Sequence, residues 1–367
     1  MKTKLIQLLY LTLLTSIISC DNNDAQPIDL NELGRLIMAT GDINSMKADG
    51  TDWISLTNTD DRLEFFNESG ANPFSPDETR LVFNTKDQRT RLGGLFIMDL
   101  QNKQTTAVTD GTMSDRKPVW SPDGTKLAFL RSSRLSSSSP PDVYVINTDG
   151  TGLVKITNNP GEYYFLDWLD NDHVVFSPTI TNQNLPLLVT ESNGLGTPTA
   201  LVPGFSSMAA FSSKLSRDKS RIAFRGDQEG TNTRGNFIYN FDNQQLIQLT
   251  GTEFIPKSIS SWSPDDTKLL MVSHSVGGNL DSDVYLINAD GSGLVNLSAE
   301  VDSENVVAWP TWSPDGSRVI FSALLETSFS SGVQYDLFMV EPSGSNLTNV
   351  TNTTEASELG FHWGTWK

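Results

Sequence analysis

Short apolar runs recur along this chain in a fixed order, about every 48 residues, separated by clusters of Gly, Pro, Asp and Asn. The clearest copy begins with Trp120-Ser-Pro-Asp-Gly124 and Lys126-Leu-Ala-Phe129. It continues through Asp142-Val-Tyr-Val-Ile146, Asn147-Thr-Asp-Gly150 and Lys155-Ile-Thr157. A second runs through Trp312-Ser-Pro-Asp-Gly316, Arg318-Val-Ile-Phe321, Asp336-Leu-Phe-Met-Val340 and Asn349-Val-Thr351. Apolar runs this short, rich in Val, Ile, Phe and Tyr and bounded by turn residues, are strands. Each repeat therefore holds four strands. One such unit cannot bury both of its faces alone, so the copies must stack.

The turns between strands have a mechanism. In Ser-Pro-Asp-Gly, proline presets φ, aspartate bonds to nearby amides and glycine accepts a positive φ. Asp149-Gly150 and Asp290-Gly291 do similar work between third and fourth strands. These recurrent aspartates read as turn formers. Their spacing lacks the dense oxygen ligands of a calcium loop, so no metal is implied.

Four antiparallel strands repeated radially make an all-β propeller. First strands end at Phe74, Trp120, Trp168, Leu215, Trp262 and Trp312, and a seventh at Trp363 near the C-terminus. That seventh strand has no strands after it. The N-terminal runs Arg35–Ala39, Ile43–Met46 and Trp53–Thr57 supply them. The expected fold is thus a seven-bladed propeller over residues 34–367, its ring closed by the C-terminal strand, which hides two open sheet edges.

Composition adds compartment and excludes partners. Charged residues make up 19% and hydrophobic ones 37%, so the chain is globular rather than disordered. A net charge of −18 repels phosphate backbones, which argues against nucleic acid. Residues 1–19 read as a signal peptide: Lys2 and Lys4 precede a short apolar run, Leu5 to Leu14, too short to span a membrane. Ile17-Ile-Ser-Cys20 resembles a bacterial lipobox, and Cys20 is the only cysteine. That resemblance implies a diacylglycerol thioether on Cys20, with residues 20–33 as a tether. Lipid chains anchor by burying methylenes, so the first expected partner is a membrane. Neither disulfides nor thiol catalysis remain open to the chain. Asp21-Asn-Asn-Asp24, directly after Cys20, resembles the export signal of surface lipoproteins in Bacteroidota and equally the inner-membrane retention signal of enteric bacteria.

The repeat resembles the TolB-type, WD-like propeller repeat of bacterial envelope proteins. It covers residues 34–367 and is specific for fold, not for activity. TolB also has an N-terminal α/β domain. Residues 21–33 are too few to form one, so the resemblance covers the propeller alone.

Connectivity sorts the loops onto two faces. Turns between strands one and two share a face with those between strands three and four, and both are short. The opposite face gathers longer stretches: Lys86–Gly94, Arg131–Asp142, Arg225–Asn236, Ser273–Asp283 and Ser322–Tyr335. Length and variation make that the expected binding face. Its loop aromatics Tyr163, Tyr164, Phe205, Phe254 and Phe329, with Phe65-Phe66, are the candidate partner contacts. Each could equally plug a gap between blades. His173, His274 and His362 fall on different blades, which disfavours a three-histidine metal site such as propeller-fold oligogalacturonate lyases use. Neither a Gly-x-Ser-x-Gly elbow nor a phosphate-cradling loop appears. Asp281, Asp283, Glu300, Asp302 and Glu304 cluster on the long-loop face and read as a solvated rim, although a glycosidase pair could hide among such carboxylates.

The sequence thus points to a lipid-anchored, monomeric propeller of the bacterial envelope, placed at the outer membrane, without cofactor or catalytic residues, binding a protein or glycan. Two alternatives stay open: a polysaccharide lyase or glycosidase with carboxylates at the channel mouth, and a TolB-like assembly partner of an outer-membrane complex.

Overall fold

The computed structural model describes residues 34–39, 42–57, 62–65, 72–87, 92–133, 141–157, 162–180, 183–184, 186–230, 234–250, 258–274, 282–301, 307–328, 332–351 and 361–364. Among them the chain forms seven antiparallel sheets and no helix. Blade 1 is Phe361–Gly364, Arg35–Ala39, Ile43–Lys47 and Ile54–Ser55; blade 2 is Arg62–Phe65, Arg80–Asp87, Leu95–Asp99 and Thr105–Ala107. Blade 3 is Ser114–Trp120, Lys126–Ser132, Asp142–Asn147 and Val154–Lys155. Blade 4 is Glu162–Trp168, His173–Ile180, Leu188–Glu191 and Thr199–Ala200, with a short extra strand, Gln183–Asn184, against its second strand. Blade 5 is Phe205–Leu215, Arg221–Gln228, Arg234–Asn240 and Leu246–Gln248. Blade 6 is Ser258–Trp262, Lys268–His274, Ser282–Asn288 and Val295–Asn296; blade 7 is Val307–Trp312, Val319–Ser328, Gly332–Val340 and Thr348–Asn349.

The ring closes as the sequence predicted. Arg35, Leu36, Ile37 and Met38 pair with Gly364, Trp363, His362 and Phe361. From blade 3 round to blade 1, successive first strands touch one another, so they line the common axis. The apolar interior is not one core. It divides into seven layers, each shared by two neighbouring blades. The reason lies in the second strands. In Leu127-Ala-Phe-Leu130 every residue is buried, the odd ones facing blade 2 and the even ones facing blade 4. A sheet apolar on both faces needs a sheet on either side, and only a closed ring gives every blade two neighbours.

Each motif residue holds a defined place in this stack. Trp120, Trp168 and Trp262 are buried, and each indole Nε1 donates across the interface to a carbonyl of the preceding blade: Pro73 at 2.9 Å, and the first-strand residues Val119 at 3.1 Å and Lys214 at 2.9 Å. Arg80 stacks over Trp120 at 4.8 Å and bonds the carbonyl of Gly124; Arg221 does the same over Trp262 at 4.9 Å, bonding that of Asp266. In the Ser-Pro-Asp turn of blade 3, Ser121 Oγ donates to Asp123 Oδ1 at 2.7 Å and accepts from Lys126 N at 2.9 Å. Asp123 Oδ1 also accepts from the amide and hydroxyl of Thr125. The same network recurs at Ser75-Asp77-Thr79, Ser216-Asp218-Ser220, Ser263-Asp265-Thr267 and Ser313-Asp315-Ser317.

The structure revises the expected long loops. Between Arg225 and Asn236 the strands run on, pairing Asp227 with Arg234. Between Ser322 and Tyr335 they continue to Ser328 and resume at Gly332, pairing those two residues. Two extended strands satisfy each other's backbone groups, which an open loop of that length cannot do. Phe65 and Tyr163 to Phe165 likewise sit on strands, not loops. Phe74 makes a single bridge to Leu81 rather than ending a continuous strand.

Candidate functional site

Two regions could hold a ligand: the axial channel lined by first strands, and the face of short turns. In the channel, five first strands carry a register shift at a similar level, between Arg116 and Val119, Tyr163 and Leu166, Ala209 and Lys214, Ile259 and Ser261, and Ala308 and Thr311. A bulge leaves a residue outside the ladder and re-aims its side chain. Two of these bulges hold a bulky residue with left-handed backbone directly before proline: Lys117, φ 54°, and Trp309, φ 51°. Such a conformation costs about 1–3 kcal/mol and persists only where surrounding structure imposes it. Trp309 is 47% exposed.

Charged groups around the bulges are mostly tied down. Asp115, 2% exposed, accepts two hydrogen bonds from Arg131, at 2.6 and 2.7 Å. Hydrogen bonding to Asp115 holds the Arg131 guanidinium above its usual range, against burial. Lys219 Nζ bridges Asp167 at 3.0 Å. Burial pushes the Lys214 ammonium down, with Asp167 opposing. Arg116 Nε is buried without a hydrogen-bond partner. Asp115 and Asp167 are thus both paired with cations. Among the described residues no group of three or more His, Cys, Asp or Glu is placed to hold a metal.

On the short-turn face a groove of about 440 Å³ opens between blades 3 and 4, lined among others by Lys126, Asn147, Asp172, His173, Glu191 and Asn193. It lies on the face opposite the one the sequence favoured. His173, half-exposed, bonds both oxygens of Asp170 through Nδ1 at 2.9 Å. Burial raises the Asp170 carboxyl, and the bonds from Asp172 and His173 outweigh it, leaving the value lowered. The pair closes a turn and stands at the start of a second strand.

The candidate aromatics separate. Phe205 is buried, 4% exposed, with its ring 4.8 Å from Phe224 and 5.2 Å from Phe237. It plugs the layer between blades 4 and 5 and leaves no face for a partner, which corrects its assignment to a docking loop. Tyr163 and Tyr164 lie on the first strand of blade 4, where Tyr163 pairs with Pro178. Phe254, Phe329, Phe66 and Cys20 lie outside the described residues, as do Asp281, Asp302 and Glu304. Sequence reasoning missed Lys117, Trp309 and the groove. Lys117-Pro118 and Trp309-Pro310 were the available signal for the bulges, whereas the groove joins residues of two repeats and had none.

No family model matches the chain. The Tol-Pal system protein TolB of Francisella tularensis subsp. mediasiatica is 20% identical over 221 residues, 60% of this chain and 49% of that protein. The chain therefore spans about half the length of the curated relatives it matches. Among solved structures, an oligogalacturonate lyase in complex with manganese matches with a TM-score of 0.62 at 12% identity, over 84% of this chain and 86% of that one. A prolyl endopeptidase matches with a TM-score of 0.59 at 12% identity, over 89% of this chain and 49% of that one. At such identities the solved structures speak for the fold alone. Repeat and ring closure agree with these likenesses: the chain is a seven-bladed β-propeller, similar in sequence to TolB over 60% of its length.

Proposed function

We propose that this protein is a lipid-anchored propeller of the bacterial envelope, at the outer membrane, which holds a protein or glycan partner and catalyses no reaction. In this reading residues 1–19 are the signal peptide, residues 20–33 carry the lipid on Cys20 and form the tether, and residues 34–367 form the propeller. The observation that carries it is the engagement of the regular carboxylates. Asp77, Asp123, Asp218, Asp265 and Asp315 each accept from a serine and from a further Ser or Thr two residues on, in turns repeated round the ring. A scaffold uses its charges this way. An active site leaves at least one poised. The likeness to the Tol-Pal system protein TolB supports an envelope partner.

Capture of cross-linked partners from the native envelope tests this. Tyr163→Ala with Tyr164→Ala should lower capture at least tenfold while the melting midpoint holds. Unchanged capture removes these two tyrosines from the binding face. Absence of label on the wild-type chain after growth in radiolabelled palmitate removes the anchor.

A second reading is a carbohydrate-active enzyme, because an oligogalacturonate lyase is built on the same fold across most of both chains. Cleavage of a polysaccharide by purified protein, abolished by one carboxylate change, would replace the first reading.

A further inference from the structure

Five large apolar side chains are exposed among the described residues: Trp53, Leu153, Leu195, Leu294 and Trp309. Four of them fall in one kind of place, the turn between third and fourth strands. Trp53, Leu153 and Leu294 stand three residues after Gly50, Gly150 and Gly291, the glycines of those turns. Each directly follows a left-handed residue: Asp52 at φ 54°, Gly152 at φ 69° and Gly293 at φ 66°. Leu195 follows Gly194, φ 77°, in the corresponding turn of blade 4 and is 86% exposed. Scattered surface leucines need no explanation, but one position kept apolar and exposed in several repeats does. The fourth strand is outermost in each sheet, so these side chains stand on the rim of the short-turn face.

The chain enters the propeller on that same face. Arg35 opens the second strand of blade 1 and pairs with Lys47, which leads directly into the turn carrying Trp53. Its guanidinium holds the Asp52 carboxylate at 2.7 Å and the Asp52 carbonyl at 2.6 Å. Residues 21–33 separate Gly34 from Cys20, a reach of at most about 50 Å. A lipid on Cys20 therefore draws on the ring beside Trp53.

We propose that the short-turn face lies on the lipid surface in which Cys20 is anchored, with Trp53, Leu153, Leu195 and Leu294 at the interface and the long-hairpin face turned away. The inference rests on the lipid-anchor reading above. Four part-exposed side chains are a weak membrane ligand alone. Tethering makes the contact intramolecular, at an effective concentration in the millimolar range, and weak contacts then suffice. Tryptophan and leucine suit the boundary between headgroup and acyl chain. The exposed carboxylates Asp149 and Asp290, in the same turns, oppose contact with anionic lipid, so the surface is zwitterionic. The orientation also leaves the opposite face free for a partner.

The test uses the full chain carrying lipid on Cys20, bound to phosphatidylcholine vesicles with brominated acyl chains, and reads tryptophan quenching. Trp53 and Trp309 are exposed indoles among the side chains described, one on the rim and one on a first strand. The wild type should be quenched. Trp53→Phe should remove more than half of that quenching, and Trp309→Phe should leave it unchanged. Leu153→Glu with Leu294→Glu should lower it at least twofold, as should replacing a third of the lipid by phosphatidylglycerol. Quenching that survives Trp53→Phe, or that depends on Trp309 instead, overturns the orientation. Mass spectrometry of the chain from native membranes reads the anchor separately. If Cys20 carries no native lipid, a dipalmitoyl maleimide coupled to this single cysteine repeats the vesicle measurement, so failure of the anchor and failure of the orientation read apart.

Discussion

Blades 3 and 4 solve one packing problem with different residues. Both end their first strand in a buried tryptophan whose indole bonds the preceding blade. Beyond that they diverge. Blade 3 turns on Ser-Pro-Asp-Gly, while blade 4 turns on Leu169-Asp-Asn-Asp172, where Asp170 Oδ1 accepts from the amides of Asp172 and His173. At the far end of the first strand, blade 3 pairs Asp115 with Arg131, and the matching pair in blade 4 is Tyr163 with Pro178. The indole and its bond across the interface persist in both. The turn needs only an aspartate that can collect amides, and the buried ion pair is dispensable to the architecture.

The largest effects should come from what the two blades share. Trp168→Ala opens a void in a layer where the indole is 0% exposed and leaves the carbonyl of Val119 unbonded, for a loss of about 3–5 kcal/mol in urea unfolding. Trp120→Ala should cost a similar amount. A loss under 1 kcal/mol for either would break the equivalence of the blades. Arg131→Met should cost about 3 kcal/mol, because it strands a buried carboxylate. Asp115→Leu combined with Arg131→Met should recover most of that, as blade 4 does without the pair.

Glycines give a finer contrast. At Gly150, φ 85°, an added methyl would meet the carbonyl of Val108 on the neighbouring blade at 3.0 Å; at Gly204, φ 77°, it would meet nothing within 4 Å. Gly204→Ala should cost about 1 kcal/mol of backbone strain alone, and Gly150→Ala clearly more. Equal losses would mean the turn does not press on its neighbour.

Acid should produce the smallest graded effect. At Asp77 and Asp265 the serine hydroxyl holds the carboxyl below its ordinary value, to about 2 at Asp265. At Asp123, Asp218 and Asp315 burial pushes upward, and the serine and backbone bonds more than reverse it. A carboxyl lowered on folding adds stability that is complete above its unfolded value of 3.8 and is lost as pH falls through the folded value. Stability should therefore fall between about pH 4 and pH 2. In Asp265→Asn that fall should be shallower, because asparagine does not titrate.

Much of the ring was legible. The periodic runs named the strands, and the unmatched Trp363 named the closure. The site was less legible, and particular residues show why. Phe205 looks like a loop aromatic until it is seen between Phe224 and Phe237, which lie on two other strands of its blade. Ser322–Tyr335 looks like a loop because its polar residues hide the pairing of two strands. The four rim residues were present in the sequence, but their shared exposure follows from turn geometry.

By itself, then, the sequence determined the local chemistry: strands, turns, the number of repeats and their closure. These follow from periodicity and from what proline, aspartate and glycine do to the adjoining backbone. Only the tertiary structure decided which residues of different repeats meet: the indole to the carbonyl of the preceding blade, the turn glycine to its neighbour's outer strand, the groove between blades 3 and 4, and Arg35 beside the turn of Trp53. Those contacts join positions far apart in the chain. They exist only once the ring is closed, because each blade finishes burying its faces against a neighbour rather than within itself.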